Sequence, residues 1–236
     1  MIIEYKLLNQ KIKLHLNKKV FIPNITTNLL LKAACATIES SKIKLNVLDL
    51  GCGSGVIGIF LKKKFKSKIK VFMSDYSDFA IKIAKKNSIA NKVKTTIAKS
   101  DLLENWKNYK FDLIIDDISA IDSKIAKKSS WYNSNIPCNS GSNGIALTTK
   151  IIKESKKFLN KKSKILIPSI SISDHKKNLI LMKKQFKNVN EISSIEWPAP
   201  KFLLNKKIIS ENIKKRYIYK KFNLYLCFTK VYSCNY

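Results

Sequence analysis

The chain has 236 residues, 45% of them hydrophobic, which suits one domain of ordinary size with a sizeable core. The formal net charge of +30 points toward nucleic acid or an anionic surface, but Arg216 is the only arginine, so the planar fork favoured for base and phosphate recognition is almost absent. No apolar run reaches the ~18 residues of a membrane span and the N-terminus lacks a signal-peptide pattern, so a cytoplasmic protein with no membrane partner is expected.

The five cysteines, at 35, 52, 138, 227 and 234, are odd in number and widely spaced, with no C-x-x-C pair. They read as reduced thiols in or near the core and not as a disulfide framework or a zinc site. The lysines accompany a visible richness in Ile and Asn, which reads as compositional drift more than as a designed binding stripe; a role in RNA binding stays open.

Taken in chain order, period-3.6 segments alternate with solid apolar runs. Residues 1–42 form a lead-in ending in a cap helix, Thr26–Ser40, with threonine as its cap. The core then spans 43–236. Strands are expected at 44–50, 68–75, 92–98, 109–117, 163–171, 189–197 and 222–232. Helices are expected at 56–66, 77–91, 145–160 and 174–186, the second capped by Ser77 and the last by Ser173 or Asp174. A polar loop, 129–144, reads as a lid, and the lysine-rich stretch 198–221 is only weakly periodic. The alternation predicts an α/β fold with a mostly parallel sheet covered on both faces.

The stretch "VLDLGCGSGVIGIF" carries the chemistry. Gly51, Gly53 and Gly55 sit where the first main strand hands over to its helix. In open α/β sheets ligands bind at such carboxyl ends, where glycines admit a close backbone and the helix offers free N–H groups. Asp75 ends the next strand, 20 residues after Gly55, at the place of a ribose-binding carboxylate.

Asp49-Leu50-Gly51-Cys52-Gly53-Ser54-Gly55 resembles the first motif of class I S-adenosylmethionine-dependent methyltransferases. "VFIPNITTNLLLKAA" and "SGSNGIALTTKIIKESKKFLN" resemble flanking motifs of their small-domain group, which includes the release-factor glutamine methyltransferases. The resemblance spans roughly residues 20 to 190. It implies a Rossmann-like seven-stranded sheet of order 3-2-1-4-5-7-6 with the last strand antiparallel. It also implies S-adenosyl-L-methionine as cofactor, with Asp49 orienting its amino group, Asp75 on the ribose and Asp101 on the adenine.

The chain departs from that group at the end of the fourth strand. Where glutamine and base methyltransferases carry Asn-Pro-Pro-Tyr, this sequence has Asp117-Ile118-Ser119-Ala120. The form is closer to the Asn-Ile-Leu-Ala of the ribosomal protein L11 methyltransferases. Asp116 and Asp117 can hold an ammonium and remove a proton, with Asp117 expected to be the one facing the cofactor. No third oxygen ligand accompanies them, so no metal is expected. Trp131, Tyr132 and Trp197 are candidate walls of the acceptor pocket. His15 and His175 stand alone, and His175 is expected to be exposed.

These features imply a methyltransferase acting on an amine or carboxylate of a protein or small molecule. The alternatives are an RNA methyltransferase and a non-methylating use of the same sulfonium, by aminoalkyl transfer or cyclisation.

Overall fold

The computed structural model describes residues 1–129, 131–132, 136–205 and 217–236. Residues 206–216 of the lysine-rich stretch, Arg216 among them, lie outside them.

The chain opens on a hairpin, β1 (Ile2–Leu7) against β2 (Gln10–His15), two strands within the lead-in that the sequence analysis does not assign. Leu8 and Asn9 turn it with φ of +44° and +59°, the double left-handed pair of a tight hairpin turn. Ile12 and Leu14 point into the core. Helix α1 (Ile25–Glu39) follows. Its cap is Asn24 and not a threonine: Asn24 Oδ1 accepts from Thr26 N at 2.9 Å and Thr27 N at 3.2 Å. Both threonines are buried and free for other contacts.

The main sheet is built from β3 (Leu45–Leu50), β4 (Ile69–Asp75), β5 (Thr96–Lys99), β6 (Phe111–Asp116), β7 (Leu159–Ile170), β8 (Asn188–Pro198), β9 (Tyr219–Lys221) and β10 (Leu224–Asn235). Its path is β5-β4-β3-β6-β7-β10-β8. Counted from β3 and omitting β9, that is 3-2-1-4-5-7-6. Among the described residues the sheet has eight strands and not seven, because the short β9 pairs β10 off this path. The first five strands run parallel, and β10 runs antiparallel to both β7 and β8.

Helices α2 (Val56–Phe65), α3 (Asp78–Ala90), α4 (Ser123–Lys128), α5 (Ala146–Glu154), α6 (His175–Gln185) and α7 (Lys201–Leu204) cover the sheet. One core cluster lies between α1, α2 and the sheet; a second lies on the opposite side around Trp106, Phe111 and Met182. Among the described residues no helix is long and apolar enough to cross a membrane.

Two boundaries moved for local reasons. Helix α5 stops at Glu154, six residues short of expectation, because Phe158 and Leu159 are drawn into the second cluster and the chain enters β7. Strand β5 starts at Thr96 and not at 92, because Lys92 turns with φ +53° and Thr96 is the first residue in register with Phe72. All five cysteines are free thiols, four of them buried. His175 is half-buried against the Phe228 ring, 5.0 Å away, and not exposed.

Candidate functional site

The turn between β3 and α2 is held from several directions. Gly51 N and Cys52 N both donate to Ser74 O at 2.9 Å, and Gly53 N donates to Asp75 Oδ2 at 2.9 Å. Gly55 caps α2 in the left-handed region, φ +79°. A side chain at Gly51, φ +77°, would bring its Cβ within 2.7 Å of Ile118 Cγ2. At Gly53 a Cβ would meet nothing closer than 3.9 Å, so the glycine leaves open space on the wall of a cavity.

That cavity, about 620 Å³, runs along the carboxyl ends of the strands, within the usual size of a small-molecule site. Ser54 lines it, and its buried Oγ has no hydrogen-bond partner among the described residues. Asp75 lines it too, with Oδ1 accepting from Ser77 N at 2.8 Å. Burial raises the Asp75 pKa, against the pull of the Ser77 and Gly53 amides. Asp101 lines the same end beside Ser100 and Leu102. An open glycine cradle, an orphaned hydroxyl and carboxylates with no lysine partner among the described residues suit a nucleoside carrying a positive charge.

Asp49 stands behind this wall. It is fully buried and accepts from Gly58 N at 2.9 Å, so it anchors the start of α2 and does not line the cavity. Burial pushes its carboxyl up to about 7.

Asp116 and Asp117 end β6 and part ways. Asp116 is fully buried, accepts from Ile118 N at 3.3 Å and is absent from the cavity wall; burial pushes it up to about 7. Asp117 lines the cavity and accepts from Thr27 Oγ1 at 2.9 Å through Oδ2. Burial raises its pKa well above the carboxylate range, with the charges of Asp49, Asp116 and Asp75 adding to the effect and Thr27 opposing it. Neither aspartate caps a helix; Asp122 caps α4, through Oδ1 to Lys124 N at 2.8 Å.

Trp131, Tyr132 and Trp197 all line the cavity. The Trp131 ring lies 6.2 Å from Trp197 and 5.6 Å from Phe202, both edge-on. Trp197 Nε1 donates to Thr229 Oγ1 at 3.1 Å, which in turn lies 3.4 Å from Thr26 Oγ1. Tyr132 packs against Phe21 at 5.0 Å with the rings 32° apart. Burial pushes its hydroxyl up to about 12, with Ser119 opposing. So an aromatic pair stands at the cavity even though position 120 is alanine.

Sequence reasoning had given no role to Phe21, Thr27 or Ser54. A signal existed for Phe21 and Thr27, since both lie in the "FIPNITT" segment. Ser54 lies inside the glycine motif but between the glycines that draw the eye, and its importance comes from where the turn puts it. Among the described residues no group of three or more His, Cys, Asp or Glu could hold a metal ion.

The family described as Methyltransferase small domain matches residues 21–117, from Phe21 through Asp117. A release factor glutamine methyltransferase of Borreliella burgdorferi is 29% identical over 201 residues, covering 83% of this chain and 69% of its own. A protein of Methanocaldococcus jannaschii, provisionally named a protein N5-glutamine methyltransferase, is 31% identical over 172 residues, 73% of this chain and 83% of that one. Ribosomal RNA small subunit methyltransferase C of Actinobacillus pleuropneumoniae matches only 34% of this chain, which spans 23% of its length. Among solved structures, the 16S rRNA N2 G1207 methyltransferase of T. thermophilus, in complex with AdoMet and guanosine, superposes with a TM-score of 0.62 at 12% identity. It covers 100% of this chain and 50% of its own, a likeness of fold.

Proposed function

The chain belongs to the small-domain methyltransferases, S-adenosylmethionine-dependent enzymes of the class I fold, and from that premise we propose that its acceptor is a side-chain nitrogen of a protein. The bound cofactor supplies an activated methyl sulfonium, so the chain's own part is to bind, orient and exclude water. In this reading Asp75 takes the ribose hydroxyls, Asp101 the adenine amino group, and the Gly51–Gly55 turn cradles the methionine end. Asp49 serves indirectly, by fixing the turn.

The observation that carries the acceptor reading is Asp117, whose side chain has Thr27 as its one hydrogen-bond donor among the described residues. In its protonated form, which burial favours, the carboxyl offers one acceptor and one donor, the same pair as an asparagine amide. It can therefore present a primary amide to the methyl donor, with Tyr132 and Phe21 as the ring wall. Glutamine is the favoured acceptor, supported by the names of relatives that align with most of the chain. An amine acceptor is the second reading. It is favoured by the absence, among the described residues, of any lysine paired with Asp117, since an ammonium would bring the missing charge.

The test is to incubate the protein with methyl-labelled S-adenosylmethionine and fractionated lysate, then digest the labelled material with proteases and nucleases, which leave a side-chain amide intact. N-methylglutamine from protein is the expected result. N-methyllysine would move the assignment to the amine. Label in RNA would overturn it and make the +30 charge functional. Methylthioadenosine without a labelled acceptor would mean the aminoalkyl arm is what moves.

A further inference from the structure

The glycine turn carries a buried carbonyl that its own helix leaves unserved. Helix α2 begins at Val56 and its ladder starts with Ile59 N donating to Gly55 O at 2.9 Å, so Ser54 O lies outside the ladder, while Gly58 N donates to Asp49 Oδ2 at 2.9 Å. A buried carbonyl needs a donor from elsewhere. Asn87 supplies it: Asn87 Nδ2 donates to Ser54 O at 2.9 Å, both partners being buried.

Asn87 sits in the third turn of α3 and does more than this. Its Oδ1 accepts from His15 N at 2.7 Å and its Nδ2 also donates to His15 O at 3.1 Å. It thus mimics a strand edge toward β2 while holding the turn on its other side. Asn91, one helical turn on, repeats the strand-edge half and gives its other amide hydrogen to Asn87 O at 2.8 Å. Its Oδ1 accepts from Lys13 N at 2.9 Å and its Nδ2 donates to Lys13 O at 2.7 Å, with no bond to the turn. Ala84, on the same helix face, packs 3.2 Å from where a Gly55 Cβ would stand.

We propose that Asn87 is a positioning residue for the cofactor site, setting the Gly53-Ser54-Gly55 turn through the Ser54 carbonyl and tying it to the N-terminal hairpin. Shorter hydroxyls and carboxylates do not replace it. Serine or threonine is too short to bridge Ser54 O and His15, and a carboxylate at 87 would oppose two carbonyls and lack any donor. Once protonated, that carboxyl regains one donor. The inference rests on the turn being the cofactor cradle.

The experiment measures binding of S-adenosylhomocysteine by calorimetry from pH 5.5 to 8 for the wild type, Asn87→Asp and Asn91→Asp, with unfolding midpoints recorded alongside. At pH 8, Asn87→Asp is expected to bind about tenfold more weakly than wild type. The variant-to-wild-type ratio should close toward one at pH 5.5. Asn91→Asp is expected to lower the midpoint by a similar amount yet keep its affinity. The proposal is overturned if Asn87→Asp binds within twofold of wild type at pH 8. A deficit that does not change with pH, or that Asn91→Asp shares, also overturns it. Should Asn87→Asp not fold, Asn87→Ser carries the same comparison against Asn91→Ser at pH 8, judged by the same tenfold and twofold limits. Asp75→Ala run in parallel separates two failures. If it too binds normally, the cradle is misplaced. If it binds weakly while the Asn87 variants do not, Asn87 alone is exonerated.

Discussion

The two ends of the cavity are built in opposite ways. At the cofactor end, residues 49 to 58 and 75 to 77 form two short runs, and most of the backbone groups that matter are fixed within them or by α3. At the acceptor end, the wall comes from Phe21, Thr27, Asp117, Tyr132 and Trp197, which are scattered over most of the chain. A site held by its own turn tolerates drift elsewhere in the sequence. A site assembled from distant segments can exchange one supplier for another, as Tyr132 and Phe21 here stand in a cavity whose β6 end has lost its ring.

The largest effect expected from breaking this comparison is at Asp117. Asp117→Ala should leave affinity for S-adenosylhomocysteine within about twofold and lower turnover roughly 100-fold or more, the scale of a lost positioning or proton-handling group. Equal losses in binding and turnover would merge the two ends into one. Asp117→Asn sharpens the result. With a glutamine acceptor it should keep turnover within about tenfold, because the amide repeats the neutral acid's donor and acceptor. With an amine acceptor it should fall as far as alanine does.

Asp75→Ala is the converse. It removes an anion that serves Gly53 N, Ser77 N and, in our reading, two ribose hydroxyls. Affinity for S-adenosylhomocysteine should drop about 10- to 100-fold, the usual range for hydrogen bonds to a charged group. Calorimetry reads this directly. Smaller still is Tyr132→Ala, which should raise KM for the acceptor about two- to tenfold, as for loss of one aromatic contact, with cofactor affinity unchanged. If KM is untouched, Tyr132 only closes the loop over the domain.

The same contrast governs what the sequence could tell. The elbow was legible because strand, glycines and helix follow one another and their periods change within a few residues. Asp75 and Asp101 were legible as the ends of the next two strands. The hairpin β1–β2 was not, although Ile3, Tyr5 and Leu7 alternate and Ile12 and Leu14 answer them. Its turn is Leu8-Asn9, and only the asparagine suits the positive φ that a glycine would have announced. Phe222-Asn223, with φ of +47° and +60°, hides the β9–β10 turn for the same reason. The pairing of Phe21 with Tyr132 has no local signature at all. It joins the segment before α1 to the segment after α4, two stretches far apart in the chain.

Asp116 and Asp117 are the closest form of the comparison, neighbours on one strand with one in the core and one on the cavity. Asp116 holds its proton up to about 7 in the folded chain because burial penalises its charge, whereas an ordinary aspartate releases it near 3.9. Between those values the folded state binds the extra proton. Its contribution to stability is therefore full at low pH, falls as pH rises from about 4 to 7, and is flat above. Asp116→Asn cannot titrate and removes that slope. The difference in unfolding midpoint, variant minus wild type, should climb by on the order of 10 °C between pH 4.5 and 7.5 and then level off, given about 1.4 kcal/mol per pH unit and about 2–4 °C per kcal/mol for a chain of this size. The offset at pH 4.5 depends on how well Ile118 N is still served, so the slope and not the offset is the reading. A flat difference would mean that Asp116 ionises in the fold as it does in water, and the contrast between core and cavity carboxyl would then be one of position without one of chemistry.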